Sequence, residues 1–292
     1  MIRRTAADTA FLVCLYIFMA IVCLTMVYPF MYLISSSLGG SAIMSLSPIP
    51  KNATLSAYNK VIQNPYIYSG FRNTIFRVIL GTSLTMAVTI MTAYALSKKY
   101  FPNRSMWTGL LVFTMFFSGG LIPNYLLVRS VGIYNTVWAM VLPPLISTYN
   151  MIIMRNFFMT IPLELEESAR IDGANEFMIL VRIIIPVSGP ILATVALWTI
   201  VGHWNAWFDC MIYITDGSKQ VLQLILRRIV LEGSTQMMDI MTSNIIEDAG
   251  MAVTPDSVKA ATIMVATIPI LLVYPFLQKY FVKGVLIGSL KG

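Results

Sequence analysis

Glu166-Glu167-Ser168-Ala169-Arg170-Ile171-Asp172-Gly173-Ala174, followed by Ile183-Ile184-Ile185-Pro186, decides how this chain is read. Three acids and an arginine crowd together in a sequence that is 57% hydrophobic and only 11% charged. Pro162 and the acids behind it suit the first turn of a helix, where the missing N–H costs nothing and the dipole favours negative charge. Glu166 and Arg170 fall at i and i+4, a mildly favourable pair. Leu165, Ala169 and Ile171 lie toward one apolar side. Gly173 costs about 1 kcal/mol inside a helix and is expected to end it in a turn. A second helical stretch then leads into the next apolar run. The segment reads as a helix–turn–helix at about 162–181, held outside the lipid.

Around it the chain is membrane-like. Mean hydropathy is +0.75, and charge-free runs at 11–34, 78–97, 105–128, 130–154, 183–208 and 260–278 are each long enough to be considered as spans. A helix crosses a hydrocarbon core of about 30 Å with roughly 20 residues. The expected fold is therefore all-α and polytopic, a single transmembrane domain over 1–292. Its six spans are expected at about 11–34, 72–97, 105–128, 133–157, 183–208 and 260–280, with an outer loop at 209–259. No period-two alternation suggests a barrel. The first run is too long for a signal-peptide core and lacks a small-residue cleavage pattern, so it is read as a retained helix.

Lys and Arg near the span ends set the expected orientation. Arg3, Arg4, Lys98, Lys99, Arg104, Arg155, Arg170, Arg182, Lys279, Lys283 and Lys291 fall on one side, which is read as the cytoplasm with both termini inside. The opposite loops hold Lys51, Lys60, Lys219, Arg227 and Arg228. The net charge of +7 is accounted for by this bias, and no basic cluster suggests nucleic acid. Ser118-Gly119-Gly120, Pro143-Pro144, Pro186/Pro190 and Pro269/Pro275 interrupt the spans. They read either as hinges of a core that opens and closes or as the ordinary proline content of membrane helices. Cys14, Cys23 and Cys210 show no metal spacing. His203 alone supplies neither a metal site nor a catalytic triad, and beside Trp204 and Trp207 it reads as a packed residue.

The spacing of Glu167-Ser168-Ala169, Gly173, Ile183, Ile185 and Pro186 resembles the signature of ABC-importer permease subunits, with Ser168 and Ile185 as its two departures. The longer run from Phe157 to Glu167 with Ile171-Asp172-Gly173-Ala174 is similar to the carbohydrate, maltose-type branch. Ala93-Tyr94-Ala95-Leu96-Ser97, Phe101-Pro102 and Trp204-Asn205 also fit that branch, so the likeness covers nearly the whole chain. Phe116 to Pro123 and Ser147-Thr148-Tyr149-Asn150 resemble permeases for complex or acidic oligosaccharides. The resemblance implies that the helix at 162–181 docks on an ATPase subunit through Glu166, Glu167, Ser168, Ala169, Asp172 and Gly173. It implies that the tail with Lys291 reaches between the ATPases. The implied partners are a second homologous permease, two ATP-binding-cassette ATPases that hold ATP and Mg, an extracytoplasmic solute-binding protein and membrane lipid. The implied place is the bacterial inner membrane.

The chain itself has no phosphate-cradling glycine loop, so no cofactor is expected in it and ATP is split elsewhere. For cargo, the expected path residues are Arg72, Arg77, Tyr125, Tyr149, Asn150, Trp198, Trp204 and Asn205. The aromatics among them serve equally as interfacial anchors. Arg77 is read as one turn into the second helix, where a lipid-facing charge costs about 2.5–3.5 kcal/mol at mid-depth. It is expected to snorkel or line a cavity, and a cavity arginine favours a carboxylated sugar. An importer permease for a non-sugar solute shares the docking helix but not the longer run. A membrane enzyme would need paired acids, a metal cluster or an activated nucleophile at depth, none of which the sequence offers.

Overall fold

The computed structural model describes residues 6–38, 53–232, 254 and 256–272, and over these it is almost wholly helical. The chain divides into two compact units, Met1–Pro65 with Leu226–Ile268, and Tyr66–Ile225 with Pro269–Gly292.

In the first unit, α1 (Ala6–Leu38) is apolar all round, and its large side chains from Phe11 to Ile34 stand exposed. A helix of this kind calls for lipid or other protein around it, and its length suits a membrane span. Its C-terminal end is fastened: Ser37 and Tyr58 share a 2.7 Å hydroxyl hydrogen bond, and the Thr54 N–H donates to Leu38 O at 2.8 Å. Tyr58 belongs to α2 (Ser56–Gln63).

The second unit is organised on α3 (Pro65–Ser97). Its buried residues Ile67, Gly70, Thr74, Arg77, Gly81, Thr85, Thr89 and Ala93 recur every three or four positions and form one stripe. Most are small, which lets other backbones approach closely, the usual device where lipid removes the hydrophobic drive for helix pairing. A Cβ on Gly81 would stand 2.5 Å from His203 Nε2, and one on Gly70 would stand 3.2 Å from the Leu222 Cα. Thr74 Oγ1 donates to Gly70 O at 2.8 Å and accepts from the Leu222 N–H at 2.9 Å. Ile75, Ile79 and Met91 face outward.

After α3 come α4 (Arg104–Phe116) and α5 (Leu121–Ser130), bent by 114° at a break that includes Gly120 with φ 82°. The helices α6 (Trp138–Val141), α7 (Thr148–Phe158), α8 (Leu163–Ile171) and α9 (Glu176–Ile179) follow. A π-helical turn (Leu180–Ile184) and α10 (Ile185–Val187) lead into α11 (Gly189–Asn205), with an 86° bend at Ser188. Then come α12 (Phe208–Tyr213), a 3-10 turn (Gly217–Lys219) and α13 (Leu222–Arg227). One apolar core joins Ala93, Tyr94 and Leu96 of α3 to Met151, Met154 and Phe158 of α7 and to Ile179, Ile184 and Val195. Two smaller ones gather Met140, Cys210, Ile214, Val221 and Leu224, and Val128, Ala139 and Tyr213.

Several expected boundaries move. Among the described residues two helices are long and apolar enough to cross a membrane, α1 and α3, or four if each bent pair is one span. The run at 133–157 is split, because Pro143-Pro144 stands between α6 and α7. The stretch 209–259, expected as an outer loop, is folded into short helices as far as 232. Residues 233–253, 255 and 273–292 lie outside the described set, which leaves out most of the rest of that loop, the end of the span at 260–280 and Lys291.

The Gly81–His203 approach gives a test. Gly81→Leu keeps helix propensity but forces the imidazole aside, and is expected to destabilise the purified protein by about 1–3 kcal/mol. Thermal unfolding in detergent measures it; an unchanged midpoint would refute the close packing of α3 on α11.

Candidate functional site

The charged segment builds its own termini. Glu164 and Glu166 occupy the first turn of α8, and Arg170 the last. Gly173 adopts φ 82°, its N–H donates to Arg170 O at 3.0 Å, and the Ala174 N–H donates to Ala169 O at 2.9 Å. These two bonds satisfy carbonyls that the helix end would otherwise leave bare, and the left-handed residue they need is cheapest as glycine. Asn175 then caps α9, its side chain accepting from the Met178 N–H at 2.9 Å.

Between these two helices and the C-terminal end of α3 lies a cage of charge. Glu166 is 1% exposed and forms a buried ion pair with Lys98, with Arg170 at 3.5 Å on its other oxygen. Lys98 Nζ sits 4.2 Å from the centre of the Tyr94 ring. Arg170 donates to Glu176 at 3.0 and 3.1 Å and to the Tyr100 hydroxyl at 2.9 Å. Tyr94 donates to the other Glu176 oxygen at 2.7 Å. Burial and the hydrogen bond to Glu176 push the Tyr100 hydroxyl up to about 12, so it stays a neutral donor at any physiological pH. Arg155 Nε adds a 2.9 Å bond to Leu96 O. Three elements distant in sequence are thus tied at one end of α3.

Glu166 was expected to face a partner; the structure turns it inward, because Lys98 needs a counter-charge where water is excluded. Glu167, Ser168, Asp172 and Gly173 do face outward, and Ala169 is half-buried. Apolar side chains stand exposed beside them: Ile171 at 86%, Phe177 at 71% and Leu163 at 51%. The sequence reading did not single out Lys98, Tyr94, Tyr100 or Glu176 as site residues.

Arg77 also departs from expectation. It sits well inside α3, not near its start, and is 1% exposed. Both its terminal nitrogens pair with Asp209, one at 3.1 Å to Oδ1. It also donates to the carbonyls of Ala206 and Met140, each at 3.3 Å. Its charge is neutralised within the chain, so it is not a cavity cation awaiting a sugar acid. Of the other path residues, Tyr149 and Trp198 meet at 6.1 Å between ring centres with both rings exposed. Trp204 is buried edge-on against Phe71 at 5.8 Å, while Arg72 and Asn205 are exposed. Asn150 is half-buried, its N–H donating to the Ser147 cap at 3.4 Å. Tyr125 joins a separate cluster with Tyr134, Tyr213 and Arg129.

Residues 104–287, including the whole cage after Lys98 and Tyr100, match the family described as binding-protein-dependent transport system inner membrane component. The chain belongs to that family. The permease is 41% identical to Protein LplC of Bacillus subtilis (strain 168), covering 99% of this chain and 98% of that one. It is 38% identical to the polygalacturonan/rhamnogalacturonan transport system permease protein YtcP of the same organism, covering 95% and 97%. A chain in the crystal structure of a bacterial ABC transporter involved in the import of the acidic polysaccharide alginate superposes with a TM-score of 0.88. It is 28% identical to the permease and covers 96% of it and all of that chain.

Removing one partner of a buried ion pair typically costs about 3–5 kcal/mol, because the other charge is left stranded. Lys98→Met is therefore expected to destabilise the permease on that scale, and Glu166→Lys likewise. The double exchange Lys98→Glu with Glu166→Lys restores part of the loss. Unfolding midpoints of the three variants measure this; a double exchange no better than the worse single variant would argue against a direct pair.

Proposed function

We propose that this permease is the channel-forming subunit of an ATP-driven importer for acidic oligosaccharides. It is a transporter subunit, and carries out no chemistry of its own. A solute-binding protein outside delivers the sugar, a second homologous permease completes the path, and two ATPase subunits supply the work. The observation that carries the mechanical part is the outward face of α8. Glu167, Ser168 and Asp172 lie within about one turn of exposed Ile171 along the chain, and Phe177 on the following helix is exposed too, so acidic and large apolar side chains both stand bare on this segment. Large apolar side chains left bare beside charge suit a protein cleft better than water or lipid. In this reading the ATPase takes Ile171 into an apolar hollow and sets a basic group against Glu167. Closure of the ATPases then pushes α8, and the ion-pair cage passes that push to α3. The two end states need differ only in what the ATPases contact.

The topology proposed with this reading keeps six spans at about 11–34, 72–97, 105–128, 133–157, 183–208 and 260–280, with both termini and the docking helix in the cytoplasm. The tail containing Lys291 is assigned to the same ATPase interface. The acidic cargo is supported by the substrates for which two relatives are named, polygalacturonan with rhamnogalacturonan in one and alginate in the other. All are polymers that carry uronic acids, whereas Arg77 no longer contributes to the case.

Two measurements test the proposal. Glu167→Arg is expected to abolish uptake coupled to ATP hydrolysis while membrane insertion stays normal, and Ile171→Asp to strip the ATPase from the purified complex. Normal uptake in both would overturn the docking assignment. Cells producing the whole transporter are expected to accumulate oligogalacturonates in preference to neutral malto-oligosaccharides; the opposite preference would refute the acidic cargo.

A further inference from the structure

The end of α3 remote from Lys98 carries a cavity that neither ion pair uses. Asn73 precedes Lys98 by 25 positions on the sequence, a separation of about 37 Å along a helix, more than the depth of a hydrocarbon core. A cavity of about 290 Å³ opens there between α3 and the turn 133–137, lined by Asn73, Phe76, Asn135, Thr136, Met140 and Lys219. Its polar groups are fixed in place. Asn73 Nδ2 donates to Ser218 O at 2.7 Å and to Gln220 O at 3.1 Å. Asn135, in the left-handed region at φ 59°, accepts from the Thr215 and Asp216 N–H groups, each at 3.2 Å. These bonds leave Asn73 Oδ1 as an acceptor and the Asn135 amide hydrogens as donors. Phe76 is 56% exposed and supplies an aromatic wall.

Two cations flank the turn. Lys219 Nζ donates to Asn135 O at 3.3 Å and lies 3.6 Å from Asp216. Arg129 stands over Tyr125 and over Tyr134, the residue before Asn135, at 5.9 and 5.8 Å. Arg129 is exposed and has no carboxylate within 4.0 Å among the described residues. Hydrogen bonds from Ser218 hold the Asp216 carboxyl below its usual range, so it stays ionised and offsets one cation of the two. One positive charge remains beside the turn, with Arg129 against Tyr134 outside the cavity lining and the two amides and the aromatic face within it. A lipid phosphate or an acidic protein side chain would satisfy the charge but leave the recessed amides and the ring wall unused. A uronic acid unit uses all three.

We propose that this cavity is an outer subsite for one acidic sugar unit of the incoming chain, with its ring against Phe76, its hydroxyls on Asn73 and Asn135, and its one carboxylate drawn to the positive charge of Lys219 and Arg129. The inference rests on the acidic-oligosaccharide reading above. It places the first contact with cargo after the binding protein has docked, so it governs handover and not docking.

The test uses the complete transporter in liposomes, with its cognate binding protein loaded with oligogalacturonate, and the variants Lys219→Gln, Arg129→Gln and Phe76→Ala. Each is expected to lower the saturating uptake rate, by about tenfold for a lost charged hydrogen bond, while the half-saturating concentration of loaded binding protein stays unchanged. A raised half-saturating concentration with an unchanged maximum would assign the cations to docking the binding protein and overturn the subsite. Loss that vanishes in purely zwitterionic lipid would assign Arg129 to headgroups, with the same consequence, and unchanged kinetics would exclude the subsite outright. Failure of the parent reading has its own signature: the unmodified transporter imports no oligogalacturonate at all.

Discussion

A guanidinium in the interior of a long apolar helix has to find a counter-charge, and the pairing of Arg77 with Asp209 constrains much of the second unit. Once the two are joined, with the carbonyls of Ala206 and Met140 also accepting from the guanidinium, the break between α11 and α12 is pinned against α3. The small residues of the α3 stripe follow from the same closeness, since Gly81 must admit His203 and Gly70 must admit the start of α13. A buried pair of this sort adds little net stability over a well-packed apolar substitute, but it is severe on alternatives. Any arrangement that separates α12 from α3 leaves the buried Arg77 without its counter-charge.

The second buried pair, Lys98 with Glu166, does the equivalent at the other end. Positions 77 and 98 are about 32 Å apart at the helical rise, and α3 runs without a break from Arg77 to Ser97, the residue before Lys98. The docking helix and the α11–α12 break are therefore fastened to one rod. The neighbouring helices are bent at 117–120 and at 188, so among the described residues of this unit α3 is the element able to carry displacement over that distance without absorbing it. The exposed Arg170–Glu176 pair contributes little by itself. Its value lies in holding the turn at Gly173 while Glu166 stays inward.

Local chemistry was the part of this architecture written plainly in the sequence. Gly173 announced the end of α8, because a left-handed cap has few other candidates. Ser118-Gly119-Gly120 and Pro143-Pro144 fall where the helices break, because each deprives a helix of a side chain or an N–H. The family signature likewise depends on residues close in the chain. What could not be read was pairing across distance. Lys98 looked like one more basic residue near a span end, and Glu166 like one more acid on an exposed helix, since nothing local reveals that they meet across 68 positions. Arg77 was misjudged for the same reason. Its partner lay in a stretch taken for an outer loop, and the helix in fact begins at Pro65, which moves Arg77 away from the start. An amphipathic pattern tells which face is buried but not against what.

The distance between Arg77 and Asp209 also has a meaning in time. The two are separated by 132 residues, and a ribosome needs on the order of ten seconds to make that much chain. Throughout that interval α3 carries an arginine whose partner has not yet been synthesised. The contact that packs α3 against α12 therefore closes only once α12 has emerged, well after α3 itself is made.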